Sequence, residues 1–167
     1  MINEHLYDDY EIAKVLGEGL TAKVYKMHCL VDGKYYAVKT IEKAGLQNSL
    51  ELDALVHEID TLRDLRHESI LWLHWVYEDE RWIHLVTQLA SGEELFARVL
   101  RRKRFSEYYA SMVILNLLSA LAYLHSKSIV HRDIKLENIL MVDEESDGEI
   151  LLIDFGLCCE VDGAMLT

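Results

Sequence analysis

Short apolar and β-branched runs alternate with glycine-bearing turns at the start of the chain, and residues 11–16, 23–29 and 34–41 each predict a strand. Asp32-Gly33 is a residue pair suited to a tight hairpin, so the three strands read as an antiparallel meander. Over 49–65 the period lengthens. Leu52, Leu55, Val56, Ile59 and Leu62 recur at i, i+3, i+4 spacing, which predicts an amphipathic helix. Alternation returns at 71–77 and 82–87 around the polar turn 78–81, giving five strands and one main helix. Beyond residues 89–92 the period is helical again, first over 93–102 and then from Ser106, a suitable N-cap, to about 126. The stretch 112–124 is apolar almost all round and predicts a helix buried on several sides. Two short strands, 139–142 and 150–153, flank the acidic loop 143–149. The pattern is α+β, with a sheet-rich region over 1–90 and a helical one over 91–167.

Composition narrows the function. At 167 residues, 51% of them apolar and 28% charged, the chain is globular and long enough to bury a core. Its formal charge of -12 excludes a general nucleic-acid binder, which would present clustered cations, and suits basic peptides. The run Arg101-Arg102-Lys103-Arg104 reads as a solvated helix end, where cations oppose the macrodipole. Cys29, Cys158 and Cys159 have neither zinc nor redox spacing and read as reduced thiols. No stretch looks like a leader peptide or approaches the ~20 apolar residues that span a bilayer. A cytoplasmic chain without a membrane partner is therefore expected. Proline is absent, and no physical reason for that is apparent.

The chemistry lies in separated motifs. Gly17-Glu18-Gly19-Leu20-Thr21-Ala22-Lys23-Val24 falls between two predicted strands, where glycines let backbone amides approach phosphate oxygens. A strand follows and Ala22 occupies the third glycine position, which disfavours a dinucleotide site; on this clue alone an ordinary hairpin turn is the simpler reading. Lys39 sits in the apolar strand Tyr36-Ala37-Val38-Lys39 and needs an anionic partner if buried. Glu58, one turn before Leu62 on the next helix, is the best-placed carboxylate. Taken singly, a snorkelling lysine and a solvated glutamate would explain both. The decisive segment is His131-Arg132-Asp133-Ile134-Lys135-Leu136-Glu137-Asn138, followed by Asp154-Phe155-Gly156.

In this order, the motifs resemble the eukaryotic protein kinases from about Tyr10 to the C-terminus. The resemblance implies a protein kinase-like fold: a five-stranded antiparallel N-lobe sheet with one main helix, then the first, mainly helical, part of the C-lobe. It also implies ATP and Mg2+ as cofactors and transfer of the γ-phosphate to Ser or Thr hydroxyls of protein substrates. On that resemblance Leu16, Gly17, Glu18, Gly19 and Val24 belong to the loop over the phosphates. Lys39 contacts the α- and β-phosphates while paired with Glu58. Asn138 and Asp154 hold magnesium, Asp133 accepts or orients the proton of the attacking hydroxyl, and Lys135 steadies the transferred group. Val24, Ala37 and Leu140 form the adenine slot, with Thr87 at its rear and Gln88, Leu89 and Ala90 as the hinge. Glu94 touches the ribose and reads an arginine upstream of the target, and Leu62, His131 and Phe155 form a stacked internal column.

Lys135, two places after Asp133, fits the serine/threonine pattern, and Leu157 leans toward serine. Residues 85–96 look most like the calcium/calmodulin-dependent group, although calcium or calmodulin dependence does not follow from them. Leu136 and Glu68 stand where the family usually has proline, which relaxes local rigidity without touching the chemistry. The sequence ends at Thr167, inside the expected activation segment and near where an activation phosphosite would be sought. Without a peptide platform, one face of the helix over 112–124 should be bare and transfer to peptides slow. The alternative function is a non-catalytic nucleotide-binding or kinase-regulating module.

Overall fold

The computed structural model describes residues 2–3, 5–19, 22–46, 49–146 and 148–161, so Leu20, Thr21 and Thr167 lie outside the described residues. The chain divides into two compact units, Met1–Val56 with Trp72–Leu89 and His57–Leu71 with Ala90–Thr167.

The first unit holds β1 (Ile2–Asn3), α1 (Leu6–Asp9), β2 (Tyr10–Glu18), β3 (Ala22–Cys29), β4 (Tyr35–Glu42), β5 (Leu73–Glu78) and β6 (Trp82–Gln88). Their order across the sheet is β1-β5-β6-β4-β3-β2. The five antiparallel strands are those the alternation predicts. β1 is an addition, pairing parallel through Ile2↔Val76 and Asn3↔Tyr77. The Asp32-Gly33 turn forms as expected: Gly33 takes φ 72, where a Cβ would be strained, and its N–H donates to the Cys29 carbonyl at 2.9 Å. Asp32 accepts from the Tyr36 hydroxyl at 2.6 Å, and that bond pulls its pKa down to about 2.

Register sorts the sheet into two faces. Tyr25↔Val38, Met27↔Tyr36 and Val38↔Val86 stand directly opposite one another, so these residues share a face. Leu6, Tyr10, Cys29 and Tyr77 join Met27, Val38 and Val86 there in one buried cluster. Tyr10 meets Tyr36 and Tyr77 edge-on, with ring centroids 5.9 Å apart in each pair. The other face carries Val24, Ala37, Lys39 and Thr87, through the pairs Val24↔Lys39 and Ala37↔Thr87.

His84, only 2% exposed, bonds Thr40 Oγ1 through Nδ1 at 2.9 Å. Its Nε2 is buried without a hydrogen-bond partner, 3.8 Å from Asp79 Oδ2, and Tyr7 meets the ring edge-on. Burial holds the imidazole below its ordinary 6.5, and Asp79 only partly opposes this. A histidine with a depressed folded pKa is protonated in the unfolded chain first, so stability falls as pH drops from above 6.5 toward the folded pKa. The stability gap between wild type and His84→Gln should therefore narrow between about pH 7.5 and 5.5 in urea unfolding. Parallel pH curves would contradict this assignment.

α2 (Ser49–Asp64) contributes residues 57–64 to the second unit. Its buried stripe is Leu55, Glu58, Ile59 and Leu62, whereas Leu52 and Val56 are exposed. The stripe is thus narrower than the apolar pattern implied and includes a glutamate. The remaining elements are α3 (Leu95–Arg102), α4 (Glu107–Ser126), β7 (Ile129–Val130), β8 (Ile139–Met141), β9 (Ile150–Leu152) and β10 (Cys159–Glu160). β8 pairs with β9 and β7 with β10, both antiparallel. Ser106 caps α4 as predicted, its hydroxyl accepting from the Tyr109 N–H at 3.1 Å.

α4 corrects two expectations. It buries Tyr109, Val113, Ala120 and Leu124, but Ile114, Leu115 and Leu118 are 52%, 59% and 57% exposed, so it is not buried on several sides. One face is bare. By length and composition this 20-residue helix could also cross a bilayer, contrary to the expectation that no stretch is long and apolar enough. A core helix passes the same test, and α4 has the polar ties of one: Asn116 donates to the Gly148 carbonyl at 2.9 Å. Gly148 has φ +98, and a Cβ there would lie 2.7 Å from Met112 Cβ.

Candidate active site

In the first unit, β2 and β3 bring Gly17 opposite Val24 and Glu18 opposite Lys23. Glu18 and Lys23 form an exposed ion pair at 2.7 Å, and the Gly19 N–H donates to the Ala22 carbonyl at 2.8 Å. A Cβ on Gly17 would meet nothing within 4 Å, and one on Gly19 would make an ordinary 3.5 Å contact. The fold itself leaves room for a side chain at either place. Leu16 is exposed beside a register shift between Val15 and Gly17.

Lys39, half-buried on β4, lies between Val24 and Leu85 in the register. Thr87 closes the same face, donating from Oγ1 to the Ala37 carbonyl at 3.2 Å. Gln88 is fixed from both ends: its N–H donates to the Trp72 carbonyl at 3.0 Å and its Oε1 accepts from the Trp72 N–H at 3.0 Å. Glu58, Ala90, Glu94 and Leu140 belong to the second unit. Glu58 is buried on α2, Ala90 is half-buried, and Glu94 forms an antiparallel bridge with Leu140.

The densest geometry surrounds Asp133. Its Oδ2 accepts from Lys135 Nζ at 2.7 Å and from Asn138 Nδ2 at 2.8 Å, and Asn138 Nδ2 also reaches the Asp133 carbonyl at 3.0 Å. The bond from Lys135 chiefly holds the Asp133 carboxyl below its ordinary range and raises Lys135 in return. His131 orients the segment from beneath. A carbonyl can only accept, so Nε2 donates to Ile153 at 3.3 Å, and Nδ1 must then accept from the Asp133 N–H at 3.3 Å. Burial keeps this imidazole neutral by lowering its pKa, consistent with that tautomer. Phe155 meets the His131 ring at 4.9 Å, edge to face, which joins two members of the expected column.

Asp154 is exposed with φ 64, a conformation that strains a residue bearing a Cβ. It is held at its base, because β8–β9 pairing continues into the Ile153 N–H bond to the Asn138 carbonyl at 2.9 Å. With the Asn138 amide nitrogen committed to Asp133, its oxygen is the atom it could offer a hard cation, and the Asp154 carboxylate is a second hard oxygen donor. Among the described residues no three His, Cys, Asp or Glu side chains gather into a metal cluster. Oxygen donors of this kind are the chemistry that a hard cation such as magnesium accepts.

Two features go beyond the sequence motifs. Arg132, at φ 64, donates from Nε to the Leu157 carbonyl at 2.6 Å, and His57 Nε2 reaches the Cys158 carbonyl at 2.9 Å. Both tie down the residues just after Gly156. Arg98 is buried completely beside Glu93. Arg132 stands in the 131–138 motif, but neither its contacts nor those of His57 and Arg98 are marked locally, since each depends on a carbonyl or carboxylate brought in by the fold.

Comparison with known proteins identifies a family. The family described as "Protein kinase domain" matches residues 10–166. Calcium/calmodulin-dependent protein kinase type 1 of Caenorhabditis briggsae is 38% identical over 162 residues, covering 96% of this chain and 45% of that protein. Aurora kinase of Schizosaccharomyces pombe is 42% identical over 147 residues, covering 88% of this chain and 41% of that protein. Calcium-dependent protein kinase 5 of Plasmodium falciparum is 41% identical over 157 residues, covering 93% and 27% respectively. The chain thus spans less than half the length of these relatives.

Proposed function

The chain belongs to the protein kinase family, and from that premise we propose that it binds ATP with magnesium and serves transfer of the γ-phosphate to serine, or less readily threonine, in basic protein substrates. The observation that carries this reading is the Asp133–Lys135–Asn138 arrangement. Both neighbours bond Oδ2, which leaves Oδ1 as the oxygen that meets a substrate hydroxyl. The hydroxyl oxygen bonds to the γ-phosphorus, the bond from that phosphorus to the ADP oxygen breaks, and the hydroxyl proton passes to Asp133 Oδ1. Because Lys135 depresses the Asp133 pKa, the carboxylate is a weak base that chiefly orients the hydroxyl and takes its proton late. Lys135 lies close enough to offset charge on the transferred group. Magnesium, held by Asn138 and Asp154, would neutralise phosphate charge.

The first unit's share is nucleotide binding, through the open glycines and Lys39. Replacing Lys39 with alanine should weaken Mg·ATP binding about ten- to hundredfold, as expected for one charge-assisted bond to phosphate. Titration calorimetry on folded protein measures this, and unchanged affinity would remove Lys39 from the site. Two of the relatives, calcium/calmodulin-dependent protein kinase type 1 and calcium-dependent protein kinase 5, are named for calcium, and no calcium dependence is proposed for this chain.

A further inference from the structure

Arg98 is among the largest fully buried side chains of the described residues, at 0% exposure, and a guanidinium is not buried without partners. Its three nitrogens go to three different segments. Nε donates to Glu93 Oε1 at 3.1 Å, Nη1 to the Tyr109 hydroxyl at 3.3 Å, and Nη2 to the Asp143 carbonyl at 3.1 Å. Glu93 directly precedes Glu94, the N-cap of α3, whose own carboxylate caps no amide of that helix. Asp143 lies just past β8, which contains Leu140. Tyr109 completes the link, since its hydroxyl reaches Met141 Sδ at 3.7 Å.

Backbone contacts follow the same path. The Met141 N–H donates to the Glu93 carbonyl at 2.9 Å and the Ser91 N–H to the Val142 carbonyl at 3.0 Å. Gly92 packs so tightly that a Cβ would come 2.5 Å from the Met141 carbonyl oxygen. Arg101 holds the outer side of Glu93, its Nε 3.1 Å and 3.3 Å from the two carboxylate oxygens. The two arginines keep Glu93 ionised, with Arg101 the stronger influence. None of these bonds involves Lys39, Asp133, Lys135, Asn138 or Asp154.

We infer that Arg98, acting through Glu93 and Asp143, is a positioning residue that sets Glu94 against Leu140 and thereby governs recognition of the nucleoside half of ATP, not its triphosphate. This rests on the nucleotide-site reading above and names the part of the ligand that Arg98 controls. The test is calorimetric titration of wild type, Arg98→Met and Arg98→Lys with Mg·ATP and with Mg·tripolyphosphate. Arg98→Met should weaken ATP about tenfold while tripolyphosphate affinity changes less than about twofold. Arg98→Lys keeps the charge without the planar fork and should fall between, and it decides the question if the methionine variant does not fold. In a cycle with Glu94→Ala the two losses should overlap instead of adding. Equal weakening of both ligands, or additive losses, would reduce Arg98 to a structural role and overturn the inference alone. A folded wild type that binds neither ligand would overturn the nucleotide-site reading, and this inference with it.

Discussion

Asp133→Asn is expected to lower phosphotransfer by about 10²–10⁴ while leaving Mg·ATP affinity within about twofold, because it removes the proton acceptor without emptying the nucleotide site. The substitution is close to isosteric, and the amide oxygen can still accept from Lys135 and Asn138, so the loop keeps its shape. What it loses is the negative charge that orients a hydroxyl and receives its proton. Phosphotransfer to a basic serine peptide, or failing that to water, measures the effect beside ATP titration. A variant that turns over like wild type would show that any transfer has another origin. A wild type that binds ATP, transfers nothing and is unaltered by Asp133→Asn would favour the non-catalytic regulatory reading. The pH profile adds a signed expectation: Asp133 sits below the ordinary carboxylate range, so its contribution persists into mild acid and fails only as pH falls through that lowered value.

Local signals were legible in the sequence, and contacts between distant residues were not. Ser106 announces α4 because the cap and the helix it opens lie within one turn. Asp32-Gly33 announces its hairpin for the same reason, and the alternation in β2 to β6 marks strands to within about two residues. Nothing in Ile2-Asn3 marks β1, a two-residue strand whose partners are Val76 and Tyr77. The buried stripe of α2 was only half legible, since Leu52 and Val56 satisfy the period yet face solvent.

The site divides in the same way. Asp133, Lys135 and Asn138 lie within six residues of one another, and the structure joins them by hydrogen bonds. Arg98 went unnoticed because in sequence it is one more cation ahead of a basic helix end. Its partners Glu93, Tyr109 and Asp143 assemble only when α3, α4 and the end of β8 meet. His84 was missed similarly, its environment being set by Thr40 and Asp79 from neighbouring strands and turn.

Phe155→Ala should produce the largest loss of stability, about 3–5 kcal/mol, through the cavity left by a buried aromatic ring. The ring is 0% exposed and packs edge-on against His131, whose two nitrogens bond Ile153 and Asp133. Removing it therefore takes away both apolar burial and the surface that keeps the imidazole in place. Phe155→Leu, which fills most of the volume, should cost about 1 kcal/mol and separates packing from the aromatic contact. Urea unfolding followed by the helical signal is the appropriate measurement, because α3, α4 and half of α2 lie in the second unit with Phe155. Trp72, Trp75 and Trp82 all lie in the first unit, so their fluorescence gives a separate check on that unit in the same sample. An unchanged midpoint for Phe155→Ala would mean that the His131 ring is held by its two hydrogen bonds alone. A large loss for alanine with near-normal transfer by the leucine variant would show that filling the space beneath His131 is what orients Asp133.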